Sequence, residues 1–340
     1  MKRYHDLAGD GGSRVLEQVA EQRARITDGL AGVRHLVAVG SGKGGVGKST
    51  LTLYLASALR ARGLRIAILD ADFNGPSQAR MAGVQSAVFV PSSAKVALPR
   101  TANGIGVFSM GSLIPEPEAL EFESAARGES HTWRATREFA LLGEILGSFE
   151  WGTLDVLLFD LPPGADRTVQ YADFLGARTS FLLVTIPSEV ARGVVARSVA
   201  ALAKGPNRVL GYVENMSGYY CRDCNAVKPL FSDWGASPRQ TPLHARSRGP
   251  LDPRSAHVAH SRSLVRSDWG ASRERAEGAP ESSELGIPCL GTVPFDPELA
   301  RHCDLGLPAA GLDETPAGRA LEQIADRMLD ALDPTRKPPL

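Results

Sequence analysis

A glycine-rich loop between two apolar segments constrains this 340-residue chain more than any other feature. Residues 37–39 form a short apolar run, and residues 51–59 have the composition of a helix. Between them, residues 42–49 satisfy the pattern G-x-x-x-x-G-K-[ST], in which backbone N–H groups converge on phosphate oxygens. The dipole of a helix that begins there favours anion binding. The loop therefore predicts a nucleotide site between a strand and a helix.

Nine consecutive residues are predicted to bind the nucleotide, ATP, through this loop. Within the pattern, Lys48 reaches the β- and γ-phosphates and the hydroxyl of Ser49 meets Mg²⁺. Lys43 occupies a variable position of the pattern, which indicates a separate task for this second lysine. The nine residues are Gly42, Lys43, Gly44, Gly45, Val46, Gly47, Lys48, Ser49 and Thr50.

The rest of the chain alternates strands with helices. This alternation predicts an α/β fold, a mostly parallel central sheet with helices on both faces. Ligands of such sheets bind at the carboxyl ends of the strands. Further strands are predicted at residues 65–70, 105–109, 155–160, 180–186, 208–213 and 285–294, and helices at residues 15–30, 135–149, 190–203 and 316–332.

A single P-loop NTPase domain is predicted to occupy residues 34–332. A helical lead-in precedes it at residues 1–33, and a flexible tail follows it at residues 333–340. The lead-in is charged but carries apolar positions at helical spacing, which favours a helix ahead of the core.

An insert is predicted within this domain. The hexapeptide Ser-Asp-Trp-Gly-Ala-Ser occurs at residues 232–237 and again at residues 267–272. Two copies are too few for a solenoid, so we interpret them as direct repeats. Because the stretch between them has too little apolar content to fold alone, residues 238–272 are predicted to be disordered.

Charge and hydropathy argue against a nucleic-acid or membrane partner and favour the cytoplasm. Lysine plus arginine and aspartate plus glutamate number 38 each, so the overall charge gives no electrostatic case for nucleic acid or an anionic membrane. No apolar run approaches the roughly 18 residues that span a bilayer. The polar first residues, 1–13, contain no apolar signal-peptide segment. The expected compartment is the cytoplasm, with no membrane partner.

The four cysteines are too few for a disulfide framework in a chain of this length. Cys221 and Cys224 form a C-x-x-C pair, and two thiolates make only half of a tetrahedral metal or four-iron site. A two-fold axis between two such pairs would supply four thiolates. The alternatives are a redox pair, inert thiols, or a structural zinc ion bridging a dimer. Cys289 is predicted to lie in the core, and Cys303 in a loop without a role.

The loop sequence G-K-G-G-V-G-K-S resembles the deviant Walker A loop of the superfamily that contains MinD, ParA, the arsenite pump and the nitrogenase iron protein. In that superfamily the extra lysine reaches across a nucleotide-sandwich dimer to the partner's phosphates. The resemblance therefore implies a homodimer in which Lys43 acts catalytically on the partner's nucleotide, beside Lys48 of the loop itself.

Five motifs in order, G-K-G-G-V-G-K-S, D-A-D-F-N-G-P-S, D-L-P-P-G, E-N-M-S and C-R-D-C, look like the Mrp/ApbC family of iron–sulfur cluster carrier ATPases. The resemblance covers roughly residues 34–308 apart from the insert. It implies that Asp72 orients the attacking water, that Asp160 holds Mg²⁺ through water and that Asn215 contacts adenine.

The same resemblance implies a cargo. In the Mrp/ApbC family the two cysteines, here Cys221 and Cys224, hold a 4Fe-4S cluster that bridges a homodimer and is delivered to apo iron–sulfur client proteins. Two departures bear on this expectation. The usual P-P-G-T-G-D is replaced by a sequence ending Ala165-Asp166-Arg167, which removes a hydroxyl and is expected to slow or uncouple hydrolysis. The pair reads Cys-Arg-Asp-Cys, which lacks the stiffening proline of Cys-Pro-x-Cys.

Two other functions compete with cluster carriage. A ParA/MinD-like positioning ATPase would bind DNA or membrane without a metal, and salt-sensitive, ATP-dependent DNA binding would distinguish it. An ATP-dependent reductase similar to the nitrogenase iron protein would share the bridging cluster but need an electron acceptor.

Overall fold

Strands and helices alternate along the chain, as the sequence predicts. The computed structural model describes residues 15–87, 89–92, 95–113, 131–230, 285–307 and 315–335. The strands are β1 (Val33–Ser41), β2 (Ile66–Asp70), β3 (Val90–Ser92), β4 (Lys95–Ala97), β5 (Gly106–Phe108), β6 (Phe149–Glu150), β7 (Leu154–Asp160), β8 (Thr179–Thr185), β9 (Val209–Cys221), β10 (Ala226–Lys228) and β11 (Cys289–Phe295). The helices are α1 (Val15–Gly29), α2 (Lys48–Ala61), α3 (Gln78–Met81), α4 (His131–Ser148), α5 (Ala165–Leu175), α6 (Glu189–Leu202), α7 (Pro297–Asp304) and α8 (Pro316–Leu332).

The central sheet, as far as the described residues define it, contains eight strands. Its order is β10-β9-β8-β1-β7-β2-β5, and β11 also pairs with β9. Every pairing is parallel except that of β10 with β9. Because parallel strands end at the same edge, β1, β2 and β7 bring their carboxyl ends together, and the phosphate loop and two acids follow there.

The core lies on both faces of this sheet. Along β1, Val37 and Val39 pack into the layer formed by α2 and α8, whereas Leu36 and Ala38 pack into the opposite layer with α4 and α5. The side chains of a strand alternate between faces, so a strand covered on both faces must be apolar throughout. This explains why the predicted strands appear in the sequence as unbroken apolar runs.

Helix α8 confirms the amphipathic pattern predicted for residues 316–332. Leu321, Ile324 and Met328 are buried against the sheet, and each contributes about 1.5 to 3 kcal/mol through burial. The helix begins where the hydroxyl of Thr315 accepts a hydrogen bond from the N–H of Gly318 (3.0 Å). Within the described ranges, no helix combines the length and the apolar character that crossing a bilayer requires.

Strand β9 differs from the prediction. The sequence predicts a strand that ends at residue 213 and a loop that carries the cysteines, but β9 continues to Cys221. The extension is polar and aromatic rather than apolar, and it forms because β11 pairs with it as far as Tyr219 and β10 pairs with its last three residues. The first cysteine therefore ends a strand.

Other expectations have mixed outcomes. The prediction that Cys303 lies in a loop is wrong, because Cys303 is buried in α7, a helix capped by the Asp296 side chain. A small second sheet, β3-β4-β6, was not predicted. The predicted insert at residues 238–272 lies outside the described residues, as does most of the predicted tail.

Candidate functional site

The phosphate loop lies where the sequence predicts it, between Ser41 at the end of β1 and Lys48 at the start of α2. Gly45 and Gly47 adopt φ angles of +78° and +77°, a region that side chains with a Cβ disfavour. A Cβ on Gly47 would also lie 2.3 Å from Nδ2 of Asn215. Glycine is therefore required at this position both by conformation and by space.

Lys48 and Asp160 form a buried ion pair at the centre of the site. The ammonium pairs with Oδ1 of Asp160 and lies 3.3 Å from the hydroxyl of Ser49. Asp160 is fully buried at the end of β7, and the hydroxyl of Thr52 lies 2.9 Å from the carbonyl oxygen of Lys48 and 3.3 Å from the same Oδ1. The structure thus brings together the lysine predicted to bind phosphate and the two residues predicted to hold Mg²⁺.

Asp70 is a second buried carboxylate beside Asp160, and the two are register partners on β2 and β7. Its Oδ2 accepts hydrogen bonds from the N–H groups of Ser77 (2.9 Å) and Gln78 (3.0 Å) and from the hydroxyl of Ser109 (2.9 Å). Burial, followed by the charge of Asp160, raises the pKa of Asp70 to about 7. No role was predicted for Asp70, although the D-A-D motif places it at a strand end.

Asp72 occupies a more open position two residues beyond β2. Its side chain is half-buried, and Oδ1 accepts a hydrogen bond from the N–H of Gly75 (3.2 Å). This bond fixes the turn that follows the strand. The water-orienting role of Asp72 stays a prediction.

The oxygen-rich composition of this cluster fits Mg²⁺. The Ser49 hydroxyl and the Asp160 carboxylate are hard donors of the kind that Mg²⁺ prefers, and Mg²⁺ takes few protein ligands when it is bound with a phosphate substrate. No group of three or more His, Cys, Asp or Glu side chains in the described part of the chain is arranged as a metal site.

A pocket lies beside the loop, and Gly47, Thr50, Asn215 and Asp296 are among the residues that line it. The amide of Asn215 donates to the carbonyl of Val46 (2.8 Å), which attaches β9 to the phosphate loop. Oδ2 of Asp296 is buried without a hydrogen-bond partner among the described atoms. The contact of Asn215 with adenine stays a prediction.

Lys43 lies at the rim of the loop and is half-buried. Its carbonyl accepts a hydrogen bond from the Ser41 hydroxyl (3.0 Å), whereas no described residue pairs with its ammonium. Its role across a dimer stays a prediction.

The C-x-x-C pair occupies a β-hairpin. Cys221 ends β9, Cys224 lies in the turn before β10, and Asn225 adopts φ +51° to close the turn. Cys221 is half-buried and Cys224 is exposed. Hydrogen bonds from Cys224, its backbone N–H first, lower the pKa of the Cys221 thiol, which favours the thiolate that metals bind.

The segment that departs from the Mrp/ApbC pattern builds a buried network. Arg167 pairs with Glu138 of α4, and the hydroxyl of Tyr171 lies 2.8 Å from both Oε1 of Glu138 and the carbonyl oxygen of Ala71. A hydroxyl has one proton, so it donates to one of these acceptors at a time. Burial raises the pKa of Tyr171. Arg167 therefore connects α5 to α4, and Tyr171 connects α5 to the residue that follows Asp70, links that the sequence pattern did not reveal.

The other two cysteines lie apart from the hairpin pair. Cys289 begins β11, where it is half-buried rather than in the core as predicted, and Cys303 is buried in α7. Burial raises the pKa of the Cys303 thiol and keeps it protonated.

Comparison with known proteins identifies the family. A sequence profile described as ParA, the NUBPL iron-transfer P-loop NTPase, matches residues 32–268. The chain belongs to this family. A cytosolic Fe-S cluster assembly factor, NUBP2 of Bos taurus, is 35% identical over 88% of the chain and 94% of its own length. An iron-sulfur cluster carrier protein of Methanocaldococcus jannaschii is 28% identical over 93% of the chain and 91% of its own length.

Solved structures of the family's fold agree with this assignment. A nucleotide-binding protein from Archaeoglobus fulgidus in complex with ADP has a TM-score of 0.60 and is 26% identical, with coverage of 87% of this chain and 95% of its own. The cell division ATPase MinD from Pyrococcus furiosus, at 18% identity and a TM-score of 0.52, covers 87% of this chain and 98% of its own and shares the fold. The predicted α/β P-loop NTPase fold and the resemblance to the cluster carriers are confirmed.

Proposed function

We propose that this family member is an ATP-hydrolysing carrier of iron–sulfur clusters. Two copies would hold a 4Fe-4S cluster between their Cys221 and Cys224 pairs and deliver it to apo-proteins. The observation that carries the proposal is the hairpin, because it presents two thiols at the end of the same strand whose Asn215 contacts the phosphate loop. The names of the relatives, cluster assembly factors and cluster carriers, support the same function.

A homodimer is supported by what surrounds the thiols. Two cysteines supply half of the ligands of a four-iron cluster, and a second copy related by a two-fold axis supplies the other half. Exposed apolar side chains lie on and beside the hairpin, where Val227 is 49% exposed and Leu230 is 40% exposed. Burial of these side chains against a second copy would favour association.

The nucleotide chemistry follows from the loop and its acids. Lys48 would bind the phosphates, Ser49 and Asp160 would hold Mg²⁺, and Asp72 would orient the attacking water, while Lys43 would reach the nucleotide of the partner subunit. When bound, the metal ion would neutralise the negative charge of the transferred phosphoryl group. A cytoplasmic location is supported by the cytosolic relatives.

Anaerobic reconstitution with iron and sulfide tests the cargo. The full chain is expected to take up about four irons per dimer with the absorption of an iron–sulfur cluster, and Cys221→Ala is expected to take up almost none. Cys289→Ala is the matched control, because Cys289 is also half-buried but lies on another strand. Full iron uptake by Cys221→Ala would contradict the proposal, as would zinc in place of iron in anaerobically purified protein.

A further inference from the structure

We propose that Gln78 is a positioning residue for the metal site. Its amide nitrogen donates to Oδ2 of Asp160 (2.8 Å) and to the carbonyl of Ser49 (3.0 Å), and the side chain is fully buried. These two partners are the residues expected to hold Mg²⁺. Gln78 thereby joins the first turn of α2 to the end of β7.

The orientation of the amide follows from its neighbours. A carboxylate and a carbonyl can only accept hydrogen bonds, so the nitrogen of Gln78 must face them. The amide oxygen is left buried without a partner among the described residues. A buried polar atom without a partner is unfavourable, so packing alone does not explain a glutamine at this position. The two hydrogen bonds that its amide nitrogen donates do explain it.

The two oxygens of Asp160 have different partners. Lys48 and Thr52 face Oδ1, whereas Gln78 faces Oδ2. If Lys48 bound a phosphate instead, Oδ1 would lose the lysine, whereas the hydrogen bond from Gln78 to Oδ2 would still hold the carboxylate in place. Outer partners of this kind typically change metal affinity about 10- to 100-fold when they are removed.

Gln78 also couples the site to the segment after β2. Its backbone N–H donates to Oδ2 of Asp70 (3.0 Å), so the residue contacts both buried carboxylates, one through its main chain and the other through its side chain. A shift of the segment that contains Gln78 would therefore move Asp160. This inference concerns the Mg²⁺–nucleotide chemistry of the proposed function and does not depend on the cluster.

Metal binding to the nucleotide complex tests the role. The full chain, saturated with a non-hydrolysable ATP analogue, is titrated with Mn²⁺ and followed by electron paramagnetic resonance. Gln78→Met, which keeps the length and loses the donor, is expected to weaken Mn²⁺ binding about tenfold or more. Affinity for the analogue in EDTA is expected to stay unchanged. The Mg²⁺ concentration for half-maximal hydrolysis should rise by a similar factor.

Gln22→Met is the control for the glutamine-to-methionine change itself, because Gln22 lies on α1, which contributes no residue to the metal site. Wild-type Mn²⁺ affinity in Gln78→Met would overturn the proposal. An equal loss of analogue affinity in EDTA would also overturn it, because it would show a general structural role. If Gln78→Met does not fold, Gln78→Asn gives the same test. The asparagine side chain is one methylene shorter, so its amide nitrogen cannot reach both the Asp160 carboxylate and the Ser49 carbonyl. Iron uptake through Cys221 is measured separately, so the two proposals can fail independently.

Discussion

Acidic residues lie at both ends of the strand pair β2–β7, Asp155 of β7 at the amino end and Asp70 and Asp160 at the carboxyl end, and the two ends differ in environment. At the amino end, Arg65 donates to Asp155 through its backbone N–H (2.8 Å), Nε (3.1 Å) and Nη2 (2.9 Å), with the arginine side chain 55% exposed. At the carboxyl end, Asp70 and Asp160 lie side by side in the core with Lys48. Water can solvate the first pair but not the second. Two buried carboxylates with one lysine are therefore better explained by chemistry than by stability.

The largest expected effect comes from removing the charge of Lys48, which pairs with Asp160 at the buried carboxyl end of the two strands. Lys48→Met leaves Asp160 buried without its ion-pair partner and should lower the free energy of unfolding by about 3 to 5 kcal/mol. Loss of the phosphate contact should also reduce hydrolysis about 100-fold or more. Chemical denaturation and ATP turnover measure the two effects, with the exposed Lys204→Met as control. Unchanged stability would contradict the role of Lys48 as the partner that compensates the buried charge of Asp160.

Opposite pH dependences should distinguish the two ends. The pKa of Asp70 is raised to about 7 in the folded protein. Between pH 4 and pH 7 the unfolded chain therefore loses the Asp70 proton while the folded protein keeps it. The free energy of unfolding should fall as pH rises through this range. The expected loss of stability is roughly 4 kcal/mol, because a shift of about three pKa units corresponds to about 1.4 kcal/mol for each unit. Arg65 lowers the pKa of Asp155, so Asp155 stabilises the fold above its usual pKa and this contribution is lost on acidification.

Denaturation without nucleotide or metal at several pH values measures both contributions. Asp70→Asn should flatten the curve between pH 4 and 7, and Asp155→Asn should flatten it only at lower pH. If the free energy of unfolding of Asp70→Asn still fell between pH 4 and 7, another group would be responsible for the pH dependence.

A smaller effect is expected next to the buried end. Tyr171→Phe removes the hydroxyl that lies between Glu138 and the carbonyl of Ala71, and should lower the free energy of unfolding by about 1 to 2 kcal/mol. Tyr220→Phe is the matched control, because within the described residues that hydroxyl makes a single hydrogen bond, to Oδ1 of Asn225 (2.9 Å). Equal effects of the two variants would mean that the network around Arg167 adds nothing beyond one hydrogen bond.

The same contrast explains what could be predicted from the sequence. The phosphate loop and the apolar strands were predictable because their signals are local, with spacing fixed within a few residues. Gln78, Glu138 and Tyr171 were missed because each acquires its role from a partner tens of residues away in the chain. For Cys303, the helix was predictable, since Asp296 followed by Pro297 is a typical start of a helix.

Strand β9 was only partly predictable for a related reason. Its apolar half, up to Val213, satisfies the strand pattern, whereas its polar half is held by pairing with β10 and β11. Met216 adopts φ +56°, an unfavourable conformation that no local pattern indicates. The prediction therefore ended where the local signal ended, although the strand did not.

The length of β9 sets a separation between two chemistries. Asn215 contacts the phosphate loop and Cys221 follows six residues later on the same strand, which places the two no more than about 20 Å apart. Hydrogen bonds to neighbouring strands leave this segment little freedom to lengthen or shorten. A displacement of β9 at the phosphate loop would therefore be transmitted along its hydrogen-bonded backbone to the thiol of Cys221.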